Sequence, residues 1–169
     1  MLWETTYDSE NADIAIDAAL DQSDNLYIVG TSRSNPNAEN FDYRGLIIKY
    51  NAAGELAWQR SLAEVGHVRD VVPLNGERIL VETTNTGFYS LTYHGSYYLA
   101  SADTGELITQ LSREEDTLWS QVVTRGNKVA LLNQYSPAAG GGNDLQVYDQ
   151  DGNLISDINL LGTTYPQLM

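Results

Sequence analysis

The chain contains no cysteine, two histidines and only 9 Lys plus Arg among its 169 residues. Without cysteine it has no disulfide framework, no thiolate metal site and no cysteine nucleophile, and the redox compartment stays open. The few cations face 23 Asp plus Glu, for a formal net charge of −14. Phosphate backbones and anionic lipid surfaces are bound by basic patches, so this balance argues against nucleic acid and anionic membranes as partners. No apolar run approaches the ~20 residues that span a bilayer. The opening residues Met1-Leu2-Trp3-Glu4-Thr5-Thr6 carry neither a basic segment nor an apolar stretch, so no signal peptide is expected there.

What is present suffices for a core: 42% of the residues are hydrophobic, and 11 are tyrosine. At roughly 100–200 residues per domain, one domain is expected. The stronger signal is internal repetition. Asp24-Asn25-Leu26-Tyr27-Ile28-Val29-Gly30 lines up with Gly76–Glu82 and with Gly126–Leu132, at offsets of 52 and 50 residues. Downstream, Leu46–Leu56, Tyr97–Leu107 and Leu145–Leu154 share a second pattern, whose turn glycines 54, 105 and 152 are 51 and 47 apart. Two landmarks thus give one period of about 50 residues.

Each unit reads as four short strands. The first strands are Ala12–Leu20, His67–Leu74 and Leu118–Thr124. A polar turn leads to a Val/Ile/Leu-rich second strand, a variable loop to a third, and an Ala-Gly, Thr-Gly or Asp-Gly turn to a fourth. Four strands per 40–50 residues is the blade of a β-propeller. The expected fold is therefore all-β, a propeller segment of three four-stranded blades over 12–62, 66–112 and 117–159. An orphan strand is expected at each end, over 2–7 and 163–169. The first of these, Leu2–Tyr7, matches the fourth strand around Trp58. Three blades do not close a ring of the usual four to eight. Further blades from the same protein or from other copies are therefore expected as partners.

The stretch Asp24–Gly30, then Asp42-Tyr43-Arg44-Gly45-Leu46-Ile47-Ile48-Lys49-Tyr50 and onward to Trp58, resembles the bacterial β-propeller repeat of SBBP type, with its GNxYVxG…D…VxKxxxxGxxxW pattern. Tyr98–Leu107 is similar to quinoprotein-like blades. The later units depart from the first: Thr109 and Ser156 stand where Trp58 does, and Glu82 and Leu132 align with Gly30. The resemblance implies a propeller of a kind often found in bacterial envelope or secreted proteins. It implies no single activity, because the fold hosts many.

No catalytic or metal-binding constellation stands out, and no cofactor is implied. His67 and His94 lack neighbouring ligands or a nucleophile in sequence. Asp149-Gln150-Asp151-Gly152-Asn153, with Asp157 beyond, lacks the spacing and closing Glu of a calcium loop and reads as a hairpin turn, as does Asp21–Asn25. Tyr89, Tyr93, Tyr97 and Tyr98 read as packing between blades, with a sugar- or peptide-binding surface as the sharper alternative. The variable loops Thr31–Asp42, Thr84–Gly95 and Tyr135–Asn143 share one rim of a propeller, and recognition usually lives on such loops. Arg33, Tyr89, His94 and Tyr135 are the candidate ligand contacts. The expected role is a non-catalytic recognition or scaffold module for protein or glycan. The alternative is part of a quinoprotein-like enzyme whose catalytic residues lie elsewhere.

Overall fold

The computed structural model describes residues 3–7, 11–33, 43–74, 77–84, 95–111, 117–135 and 141–160. Twelve strands form, and there is no helix among the described residues. Strands β1 (Ala12–Leu20), β2 (Leu26–Arg33), β3 (Tyr43–Tyr50) and β4 (Leu56–Leu62) make sheet 1. Sheet 2 holds β5 (His67–Pro73), β6 (Arg78–Thr84), β7 (Gly95–Ser101) and β8 (Leu107–Gln110). Sheet 3 holds β9 (Thr117–Arg125), β10 (Lys128–Tyr135), β11 (Gly142–Tyr148) and β12 (Leu154–Leu160). In every sheet the strands pair antiparallel in chain order. The strand expected over 163–169 lies outside the described residues, and residues 3–7 form no ladder.

The turn between third and fourth strands shows why the sequence folds this way. Gly54, Gly105 and Gly152 all have positive φ, at 82°, 68° and 84°, a conformation that side chains disfavour. Asn51 Oδ1 accepts the Ala53 and Glu55 N–H groups, and Asp149 Oδ1 accepts those of Asp151 and Asn153. The middle turn is one residue longer: Gly105 N–H reaches back four residues to Ser101 O, where Gly54 and Gly152 reach back three.

That extra residue corrects the alignment of the second strands. Leu26 pairs with Tyr50, Ile79 with Ala100 and Val129 with Tyr148, and each of these partners faces the first residue of the fourth strand. The equivalent positions are therefore Leu26, Ile79 and Val129, in steps of 53 and 50 residues rather than 52 and 50. A one-residue slip exchanges the two faces of a strand. With it corrected, the residues equivalent to Gly30 are Thr83 and Asn133, not Glu82 and Leu132.

Each sheet now has a front face toward the next sheet and a back face toward the one before. Tyr27, Val29 and Ile47 on the front of sheet 1 pack with Val68, Val71, Ile79 and Val81 on the back of sheet 2. Leu80, Tyr97 and Leu99 on the front of sheet 2 pack with Val129, Leu131 and Tyr148 on the back of sheet 3. Tyr97 and Tyr98 are thus packing residues, on opposite faces of β7. The sheet 1–2 contact has a polar clamp at the second turn. Lys49 Nζ and Trp58 Nε1 both donate to Ala102 O, at 2.9 and 3.1 Å.

One wedge recurs along the stack. Trp58 on β4 lies so close over Gly105 that a Cβ there would stand 2.5 Å from the ring. Thr109 on β8 lies over Gly152 in the same way. Trp3 takes the corresponding place over Gly54, 2.5 Å from the same construction, and its ring centroid is 5.9 Å from that of Tyr50. Residues 3–7 therefore sit on the back of sheet 1 where an outer strand of a preceding sheet would lie.

Candidate functional site at the loop rim

The two ends of the sheets differ in chemistry. At one end are the tight glycine turns. At the other end β2, β6 and β10 stop at Arg33, Thr84 and Tyr135, and β3, β7 and β11 start at Tyr43, Gly95 and Gly142. Of the four candidate contacts, Arg33 closes β2 and Tyr135 closes β10. Both reach this rim, on sheets 1 and 3, with sheet 2 between them. Tyr89 and His94 lie outside the described residues.

Between sheets 1 and 2 the rim is built around His67, the first residue of β5. Its Nδ1 shares a 2.6 Å hydrogen bond with Thr31 Oγ1 of β2, and its ring lies against that of Tyr43 of β3, tilted by 40° with centroids 5.0 Å apart. His67 is buried, and burial followed by the nearby charge of Arg69 holds its imidazole below the usual histidine range. Both effects favour the neutral imidazole. Arg33 pairs with Tyr43 across the β2–β3 ladder, so it belongs to the same corner.

At the sheet 3 corner, Tyr135 donates its hydroxyl to Asp144 Oδ2 at 2.6 Å. Inward from it runs a buried polar chain: Ser120 Oγ donates to Asn133 Oδ1, Asn133 Nδ2 to Gln146 Oε1, and Tyr148 OH to the same Gln146 oxygen. These groups lie on the back of sheet 3. Ser120, Asn133, Gln146 and Tyr148 satisfy one another there, which lowers the cost of burying them.

Sequence reasoning missed a pair of carboxylates on the first strands. β1 bulges between Ala15 and Asp17, and β5 bulges at the equivalent place between Val68 and Asp70. Bulges re-aim side chains. Asp17 Oδ2 accepts the Val71 N–H of β5 at 3.1 Å, which brings the Asp17 carboxyl beside that of Asp70. Burial, and then the neighbouring Asp17 carboxyl, push the Asp70 carboxyl above the usual range, against an opposing pull from the Val71 N–H. The recurring signal was an acid within an apolar strand, Ala15-Ile16-Asp17-Ala18 and Val68-Arg69-Asp70-Val71. In β9 the equivalent residue, opposite Leu132, is Gln121.

A raised carboxyl value means that the folded state holds its proton more firmly than the unfolded one. The stability it gives is full below the unfolded value and is lost as pH rises through the folded value. Asp70→Asn keeps the shape and adds no charge. It is expected to be more stable than the wild type at pH 7, with the gap closing below about pH 4, near the ordinary carboxylate value. Urea midpoints of both proteins from pH 3.5 to 8 check this.

The turn acids behave differently. Asp149 is held below the usual range by the Asn153 side chain first, and then by backbone N–H groups. At Asp21, burial pushes upward, but hydrogen bonds from Asn25, Ser23 and Tyr27 outweigh it. Both carboxylates are engaged in their own turns. Among the described residues, no three His, Cys, Asp or Glu are placed to hold a metal, and no helix is long and apolar enough to cross a membrane. Clefts lie on the back of sheet 1. One, of about 190 Å³, is lined mainly by apolar residues including Ile28, Leu46 and Ile48, and another, of about 270 Å³, by Arg44, Gln59 and Ser61 among others.

Compared with known proteins, the chain matches no family model and no curated protein.

Proposed function

We propose that the three sheets are consecutive blades of a β-propeller that serves as a non-catalytic recognition or scaffold module, contacting protein or glycan through the loop rim. The observation that carries this reading is the asymmetry of the stack. One end is closed by three hydrogen-bonded glycine turns. The other gathers His67, Tyr43, Arg33 and the Tyr135–Asp144 pair beside the longer connections. Strands hold such groups rigidly while loops vary, which suits recognition. The front-to-back order of the sheets, with first strands β1 and β5 side by side through Asp17 and Val71, supports the propeller. The SBBP-type resemblance points the same way. Closure needs further blades.

The test is a glycan array and a peptide array probed with the full chain, followed by titration of the strongest binder. Arg33→Ala is expected to weaken that binder tenfold or more, and Tyr135→Phe severalfold. Asp151→Ala, on the turn end, is expected to leave it unchanged. A binder equally sensitive to Asp151→Ala would refute the rim, and silence on both arrays would contradict recognition of these two classes.

A further inference from the structure

The front faces of sheets 1 and 2 are each covered by the back of the next sheet, yet among the described residues no sheet covers the front of sheet 3. The ladders place Val123, Ala130 and Val147 on that face, and Leu132, Leu145 and Ile158 beside them. Val123 is 67% exposed and Ile158 46%. These are the positions equivalent to those through which sheets 1 and 2 hold their neighbours. Ala130 corresponds to Tyr27 and Leu80, and Val147 to Lys49 and Leu99. The matching surface is the back of sheet 1, where Leu26, Ile28, Leu46, Ile48 and Tyr50 form an apolar face with clefts beside it.

We infer that the front of sheet 3 is a docking surface for the back of sheet 1 of a second copy, head to tail, and that residues 3–7 compete for the same place. The occupant is argued from continuity: the front-to-back contact that sheets 1 and 2 each make is the one the front of sheet 3 can repeat with the back of a sheet 1. The two faces differ, so the contact is heterologous and adds copies in line or around a ring. The competition follows from the wedge. Ser156 on β12 is equivalent to Trp58 and Thr109, since each pairs with the third-strand residue just described. In a docked pair Ser156 comes to lie over the partner copy's Gly54 turn, where Trp3 already sits. Trp3 must leave for the sheets to meet fully. The inference rests on the stacking of the sheets and is independent of what the rim binds.

The experiment is sedimentation equilibrium of the full chain across a hundredfold concentration range. The wild type is expected to rise above its 18.7 kDa monomer mass as concentration increases. Trp3→Ala is expected to associate at about tenfold lower concentration. Ile158→Arg blocks the front of sheet 3, and Ser61→Arg blocks the back of sheet 1. Both positions are exposed, so both variants should keep the wild-type far-ultraviolet spectrum. Each alone is expected to stay monomeric, and their equimolar mixture to form dimers and nothing larger. Monomers at every concentration for both the wild type and Trp3→Ala would overturn the inference. So would undiminished association of either blocked variant alone, or a mixture that fails to dimerise.

Discussion

Gly30→Ala is expected to destabilise the protein by about 2–4 kcal/mol, an overpacking cost that the backbone has little freedom to relieve. The Ile14 carbonyl lies against Gly30, beside the bulge in β1 that inserts Ile16 between the paired residues Ala15 and Asp17. A Cβ on Gly30 would overlap the Ile14 oxygen and stand 3.1 Å from Ala15 Cα. Both are backbone atoms held in the β1–β2 ladder, so neither can rotate away. For a chain of this size the melting temperature should fall by roughly 5–15 °C, read by calorimetry or circular dichroism. Unchanged stability would mean that the bulge is placed elsewhere, and with it Asp17.

The second large effect is expected at Leu99. It is fully buried between sheets 2 and 3, against Leu80, Val129 and Leu131. Truncation removes apolar contacts from both sheets and leaves a cavity that strands locked in ladders cannot fill, so Leu99→Ala should lose about 2–5 kcal/mol. Leu20→Ala, at a side chain 62% exposed, should change stability by roughly 0.5 kcal/mol or less. Urea titration distinguishes the two. A small effect at Leu99 would mean that sheets 2 and 3 do not share a core.

The strands were legible in the sequence because the turns are. Asn51 and Asp149 sit where a side-chain oxygen can close the hairpin, and Gly54, Gly105 and Gly152 where φ is positive. Register was not legible. In β2 and β6 both faces are apolar, Tyr27 and Val29 on one side and Leu26 and Ile28 on the other, so no alternation says which face is which. The single extra residue in the turn at Ser101–Gly105 shifts β7, and β6 with it, by one position. Only the ladders reveal this.

The rim was legible in part. The loops are expected to start at Thr31 and Tyr135, but β2 runs three residues further and Arg33 closes it, while Tyr135 closes β10, so both candidates are strand-end residues at the rim. His67 stood out only as one of two histidines. Its partners Thr31 and Tyr43 are 36 and 24 residues away, and nothing local in the sequence links them. The Asp17–Asp70 pair was visible as a recurring acid in an apolar strand, but its meaning depends on two bulges. The bulges re-aim both acids, and nothing local in the sequence marks them.

The central claim is the front-to-back stacking of three sheets in this register. Methyl–methyl nuclear Overhauser spectroscopy on Ile/Leu/Val-labelled protein tests it most directly. The account predicts cross-peaks from Leu80 and Leu99 to Val129 and Leu131, and from Ile79 and Val81 to Val29 and Ile47. Cross-peaks from Ile79 to Leu131, with none from Leu80, would place the opposite face of sheet 2 against sheet 3 and contradict the account.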